Sequence, residues 1–119
     1  MSLDISFYEV MTCPHCEGMV HTNKLLAEFN ITHNLARMAD ECGLYDWIWM
    51  AEENPAVKSA RDLNDPLEQG LYKLRDDPMR YKKFDSCNGW GRYIDLVNFI
   101  EDLIKACKKY PDSYISISR

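Results

Sequence analysis

The sequence predicts an α+β fold, a small and mainly antiparallel sheet covered on one face by a long helix near the carboxy terminus and by several shorter ones. Three observations carry that expectation. Tyr93, Leu96, Val97, Ile100, Leu103, Ile104 and Cys107 recur at three- and four-residue steps, the apolar stripe of a helix over residues 93 to 110. Stretches near 4 to 11, 29 to 34 and 113 to 118 instead alternate apolar and polar residues, the period of a half-buried strand. Asp65-Pro66 and Asp77-Pro78 each join a capping side chain to a proline suited to the first helical position.

Along the chain, Leu3, Ile5, Phe7 and Met11 share one face of the first strand and Tyr8 and Val10 the other, with Glu9 interrupting the first face. Cys13-Pro14-His15-Cys16-Glu17-Gly18 is turn-forming. The stretch from Met19 to Phe29 reads two ways: a helix with weak formers at Thr22-Asn23, or a strand that turns at Asn23-Lys24. Phe29, Ile31 and His33 then share a strand face with Leu35. Spacing next turns helical from Leu35 to Cys42, with Asn34 as the expected N-cap and Gly43 just past the end.

Leu44 to Met50 reads as a second short helix. Trp47 and Trp49 cannot both enter one core from there, so one is expected to face outward. Glu52-Glu53-Asn54-Pro55 is a surface break, and 56 to 63 supports no assignment. The helix capped at Asp65 runs to about Arg75 with Leu67, Leu71 and Leu74 inward. The one capped at Asp77 presents Met79, Tyr81 and Phe84. Asn88-Gly89-Trp90-Gly91 sets two glycines around a tryptophan, with Trp90 expected to plug the edge of the core and a place beside a ligand as the alternative. In the long helix the acidic residues come early and the lysines late, matching its dipole, and Glu101 precedes Lys105 by one turn. Tyr110-Pro111 stops it, Asp112-Ser113 turns, and Tyr114 to Ser118 closes as a strand.

With 119 residues, one domain spanning 1–119 is the simplest organisation. The 46% hydrophobic and 28% charged shares suit an ordinary globular chain. No apolar run reaches the roughly 20 residues of a spanning helix, and no basic start precedes an apolar signal core, so a cytoplasmic protein without a membrane partner is expected. A net charge of −5 with no Lys/Arg cluster longer than Lys82-Lys83 or Lys108-Lys109 disfavours nucleic acid, and leaves protein as the expected partner with no oligomeric state specified. Five unevenly spaced cysteines argue for free thiols, a metal site or a redox pair over a disulfide framework.

The blocks Ile31-Thr32-His33-Asn34-Leu35 with Met38-Ala39, Gly43-Leu44-Tyr45 with Trp49, Asn88-Gly89-Trp90-Gly91 with Tyr93, Ala106-Cys107 with Tyr110-Pro111-Asp112, and Ser118-Arg119 resemble a largely uncharacterised family of small bacterial and phage-encoded proteins. The resemblance covers about residues 29 to 119. It implies a related fold and a phage or mobile-element setting, and it transfers no catalytic residue. Residues 1–28, which hold the cysteine pair, depart from the family pattern.

Cys13-x-x-Cys16 is the one motif whose spacing carries chemistry, and it has two functional readings beside an incidental one. As half of a zinc knuckle at a hairpin tip, two thiolates bite one ion and two further ligands come from among His21, His33, Cys42 and Cys87. As a thiol–disulfide pair before a helix, Cys13 would attack, Cys16 would resolve and His15 would tune the potential. That fold needs a cis-proline opposite the thiols, and no proline here suits. His33 is expected to be a hydrogen-bonded histidine at the core edge, with binding as the functional alternative shared by Asn34, Asn88 and Trp90. Cys42 and Cys107 lie on helical apolar stripes as small buried hydrophobes. No phosphate loop, nucleophile elbow or paired-carboxylate motif appears. The expected role is a non-enzymatic accessory or interaction protein, cofactor-free or with a structural Zn2+, and a thiol–disulfide oxidoreductase is the alternative.

Overall fold

The computed structural model describes residues 2–12, 19–85 and 89–119. Strands β1 (Ser2–Thr12), β2 (Met19–Thr32) and β3 (Tyr114–Ser118) form an antiparallel sheet in the order β2-β1-β3. Between β2 and β3 come α1 (Ala36–Glu41), α2 (Tyr45–Ile48), α3 (Asn64–Asp76), α4 (Pro78–Lys82) and α5 (Tyr93–Lys109). The fold is α+β, with a long helix near the carboxy terminus.

Alternation decides which sheet face is covered. Leu3, Ile5 and Phe7 are buried, in register with Ile31, Phe29 and Ala27 on one side and, for Ile5 and Phe7, with Ile117 and Ile115 on the other. Phe29 meets Phe7 edge-on at 5.9 Å and Phe99 of α5 at 6.4 Å, seating the helix on that face. The predicted stripe of α5 is buried from Leu96 to Cys107. Each such side chain contributes roughly 1.5–3 kcal/mol before the cost of ordering the chain. The other face is polar: Asn30 Nδ2 donates to Asp4 Oδ1 at 2.5 Å and to Ser2 Oγ at 3.0 Å.

Met11 departs from its expected place. It is 55% exposed, because β3 reaches only as far as Tyr8 and residues 9–12 are flanked by β2 alone. Met19–Phe29 is strand throughout. The expected turn at Asn23-Lys24 is absorbed by irregular pairing, where Tyr8 faces Leu25 and Val10 faces His21, so extra residues bulge from β2.

Strand β2 stops at Thr32, two residues before the predicted end, and His33–Leu35 is a 3-10 turn. Thr32 Oγ1 caps it by accepting from the Asn34 amide at 3.3 Å, so the expected cap at Asn34 is not used. Gly43 does close α1: at φ 82° it donates to Asp40 O at 3.0 Å while Leu44 N donates to Ala39 O at 2.8 Å, the paired bonds of a Schellman ending. Of the two tryptophans near α2, Trp49 is buried and Trp47 is half-buried, packed against the core rather than fully outward.

Helix α3 begins at Asn64, earlier than a cap at Asp65 allows. A 3-10 turn over Ala60–Leu63 leads straight into it, and Asp62 Oδ2 supplies the capping acceptor for the amides of Lys58 and Ser59. Asp77 caps α4 as expected through Arg80 N. Tyr81 is buried, Phe84 is partly buried and Met79 faces outward. The turn after α5 is tied to the Ala60 segment, since Ala60 N donates to Ser113 O and Arg61 N to Pro111 O.

Candidate functional site

Among the described residues, two places gather side chains with chemical character. The first is the joint where β2 gives way to α1. His33 turns inward, and its Nδ1 accepts from Trp49 Nε1 at 3.0 Å, while Trp49 stacks on Tyr45 at 5.9 Å with the rings 10° apart. An indole N–H only donates, so His33 Nδ1 is the acceptor of this bond. His33 is therefore the satisfied histidine at the core edge that its place on an apolar face suggests. Asn34 Nδ2 donates to Trp90 O at 2.9 Å, which pins the glycine loop to the same joint.

Within that loop the residue that enters the structure is Gly91, not Trp90. Gly91 has φ 99°, and a Cβ there would stand 3.0 Å from Thr32 Cγ2 and 3.2 Å from both Asn34 Cβ and Leu35 Cγ. Trp90 is 72% exposed, so the expectation that it plugs the core is corrected: a glycine can fit against Leu35, and its large neighbour is turned outward. The structure thus brings together His33, Asn34 and the Trp90 backbone. Asn88 lies outside the described residues. Arg119 is held nearby, through Glu53 at 2.6 Å and the Trp49 carbonyl at 3.5 Å.

Cys13, Cys16 and Cys87 also lie outside the described residues. Thr12 and Met19, which flank the pair, are opposite each other in the β1–β2 ladder, and His21 is paired with Val10 close by. The pair is followed in sequence by a strand, not by the helix whose amino terminus would acidify the first thiol. No cis peptide bond occurs among the described residues. His33 belongs to the opposite end of the hairpin, where Ser2 meets Thr32, roughly 30 Å away at the rise of an extended strand. Cys42 is buried, its thiol donates to Ala39 O at 3.3 Å, and burial pushes its pKa up to about 11. Cys107, equally buried, is pushed to about 12. Both are the small hydrophobes their stripes predict. Among the described residues, no three His, Cys, Asp or Glu side chains converge on a common point.

The second place is a groove of about 520 Å³ between α3 and α5. Leu71, Tyr72 and Ile104 supply its apolar surface, and Tyr72 is 70% exposed. Two ion pairs bridge the helices at its ends, Lys108 to Glu68 at 3.0 Å and Arg75 to Glu101. Pairing the start of one helix with the end of the other makes α3 and α5 antiparallel. Glu101 thus finds its partner across the groove, and Lys105, one turn along, stays on the rim. No family model, curated protein or solved structure matches this chain.

Sequence reasoning passed over the groove because its walls come from segments about thirty residues apart. The signal available was Tyr72 beside the inward Leu71, and an acid followed seven residues later by a base on both helices, Glu68 to Arg75 and Glu101 to Lys108.

Proposed function

We propose that this chain is a non-enzymatic interaction protein, of the accessory kind encoded by phages and mobile elements, and that it binds protein through the α3–α5 face. The observation that carries this reading is the outward Tyr72 beside an apolar groove with charged rims. Tyrosine loses little conformational entropy on binding, offers a large contact area and keeps a hydroxyl for the wet rim, which is why it is enriched at protein interfaces. The net charge of −5 supports a protein partner over nucleic acid. A structural zinc on Cys13 and Cys16 belongs to the same reading, with His21 as the candidate donor from β2.

A photoreactive aromatic amino acid in place of Tyr72 tests the binding face in cells that make the protein, with the exposed Asp46 as the control position. The expected result is a discrete adduct from position 72 and none from position 46. Equal labelling at both positions, or none at 72, would sink the reading.

A further inference from the structure

Resting on that binding face, we infer that its partner is a second copy of this chain, joined about a two-fold axis that runs along the groove so that α3 of each copy lies over α5 of the other. The argument is the order of charges around the rim. Glu68, Lys108, Glu101 and Arg75 mark the corners of a rectangle, linked across the groove by the two ion pairs and along each helix by seven-residue steps. Their signs alternate around it. A two-fold axis lying in the plane of the face and parallel to either side exchanges neighbouring corners, which always stacks an acid on a base. An axis along the diagonal would stack Glu68 on its own copy, so the helices of the two copies run alongside one another and do not cross obliquely.

Lys105 chooses between the two remaining axes. It and Ile104 sit midway between Glu101 and Lys108, just as Leu71 and Tyr72 sit midway between Glu68 and Arg75. An axis perpendicular to the helices would lay α5 on α5 and set Lys105 against its own copy, two like charges at the centre of the contact. The axis along the groove keeps each residue at its own level, and because Glu68 is level with Lys108 it sets Lys105 against Leu71 and Tyr72 against Ile104, which keeps the two copies of Lys105 apart and lays each ring on an aliphatic side chain. Each exposed tyrosine is then covered by the other copy.

The face is modest in size. Helices α3 and α5 lie side by side over about ten residues, roughly 15 Å at 1.5 Å per residue, and that strip presents roughly 300 Å² per copy, about 600 Å² in total. That is the size of a weak, transient contact, so the dimer should be reversible and dissociate at high micromolar concentrations.

Sedimentation equilibrium on three forms of the full chain tests this. One form reverses α3 (Glu68→Lys with Arg75→Glu) and another reverses α5 (Glu101→Lys with Lys108→Glu), with circular dichroism confirming that each folds. The wild type should shift from monomer to dimer with concentration, each variant alone should associate at least about tenfold more weakly, and an equimolar mixture should regain dimer, because reversed α3 again meets opposite charge on reversed α5. A wild type that stays monomeric at every concentration, a variant that dimerises alone as well as the wild type, or a mixture that stays monomeric overturns the proposal. In the crosslinking experiment above, an adduct of twice 13.9 kDa supports the dimer, and an adduct of any other mass overturns it while leaving the binding face standing.

Discussion

Gly91 and Gly70 show how much of this fold depends on side chains that are missing. At Gly91 the backbone is left-handed, at φ 99°, and a Cβ would press on Thr32, Asn34 and Leu35 together. Gly91→Ala should therefore lower stability by about 2–4 kcal/mol, combining backbone strain with overpacking, as urea denaturation would measure. Gly70 has ordinary helical backbone, yet a Cβ there would meet Leu44 at 2.5 Å. Alanine's better helix propensity, about 1 kcal/mol, is then offset by displacement of a buried leucine, so Gly70→Ala should be neutral or destabilising, where an exposed helical glycine would gain. The sequence marks Asn88-Gly89-Trp90-Gly91 as a constrained loop, but it does not say which member goes inward, since that depends on the width of the gap beside Leu35. His33 was more legible, because an apolar-face histidine must find a hydrogen-bond partner and Trp49 was close in sequence. The buried thiols give a pH signature. Cys42 and Cys107 have folded pKa values raised to about 11 and 12, above the ordinary 9. Below pH 9 neither state has ionised and their contribution is fully present. As pH rises past 9 the unfolded chain loses these protons first, so stability falls with pH up to about 12. Tyr81 and Tyr93, raised by burial, act in the same direction. Thermal unfolding should show a melting temperature that declines above pH 9, and less steeply once Cys42 and Cys107 are both replaced by Val. An undiminished slope in that variant would assign the loss to other groups.

Among the elements, those with the most self-contained signals were the most legible. Helix α5 is amphipathic along its whole length and stopped by Tyr110-Pro111, and it occupies Tyr93–Lys109, one residue short of its predicted end. Its start uses contacts that no local pattern encodes: Tyr93 N donates to Asp85 Oδ1 at 2.7 Å, and its hydroxyl to Leu74 O at 2.7 Å. Strand β2 was ambiguous for a physical reason. Its alternation is broken by bulges that make sense only opposite β1, so the pattern that identifies it lies in the pairing and not in β2 alone. The same pairing sets how firmly each part of the sheet is held. Around Ile5 and Phe7, β1 has a neighbour on both sides, whereas residues 9–12 and the stretch of β2 facing them form a two-stranded ribbon past the end of β3. Such ribbons are marginal by themselves. Amides of Val10 and Met11 should therefore exchange with deuterium well ahead of those of Ile5 and Phe7, at least tenfold faster by mass spectrometry or NMR. Uniform protection along β1 would mean that something covers the ribbon.

Across the whole molecule, extents of 52 × 27 × 22 Å fit a globular body with this ribbon extending from it, and that geometry separates two kinds of site that the sequence could not rank. On paper, His33 and Cys42 were as good partners for Cys13 and Cys16 as His21 was, because spacing along a chain does not reveal which end of a hairpin a residue occupies. The ladder separates the two histidines: His21 pairs near Thr12 and Met19, while His33 follows directly on the pair Ser2–Thr32 at the other end. A zinc bound by Cys13 and Cys16 would consequently stabilise the ribbon and leave the core, built on α5 and the middle of β1, largely independent of it. Protein purified without chelator should contain about one zinc per chain. Removing it should speed exchange at Val10 and Met11, in a protein whose Ile5 and Phe7 amides and main thermal transition stay nearly unchanged. Replacing Cys42 with Val should leave the zinc content intact, whereas Cys13→Ser should abolish it. A metal-free pair that cycles reversibly with glutathione would instead favour the thiol–disulfide alternative, and loss of the main transition on chelation would show that the body of the fold depends on the metal after all.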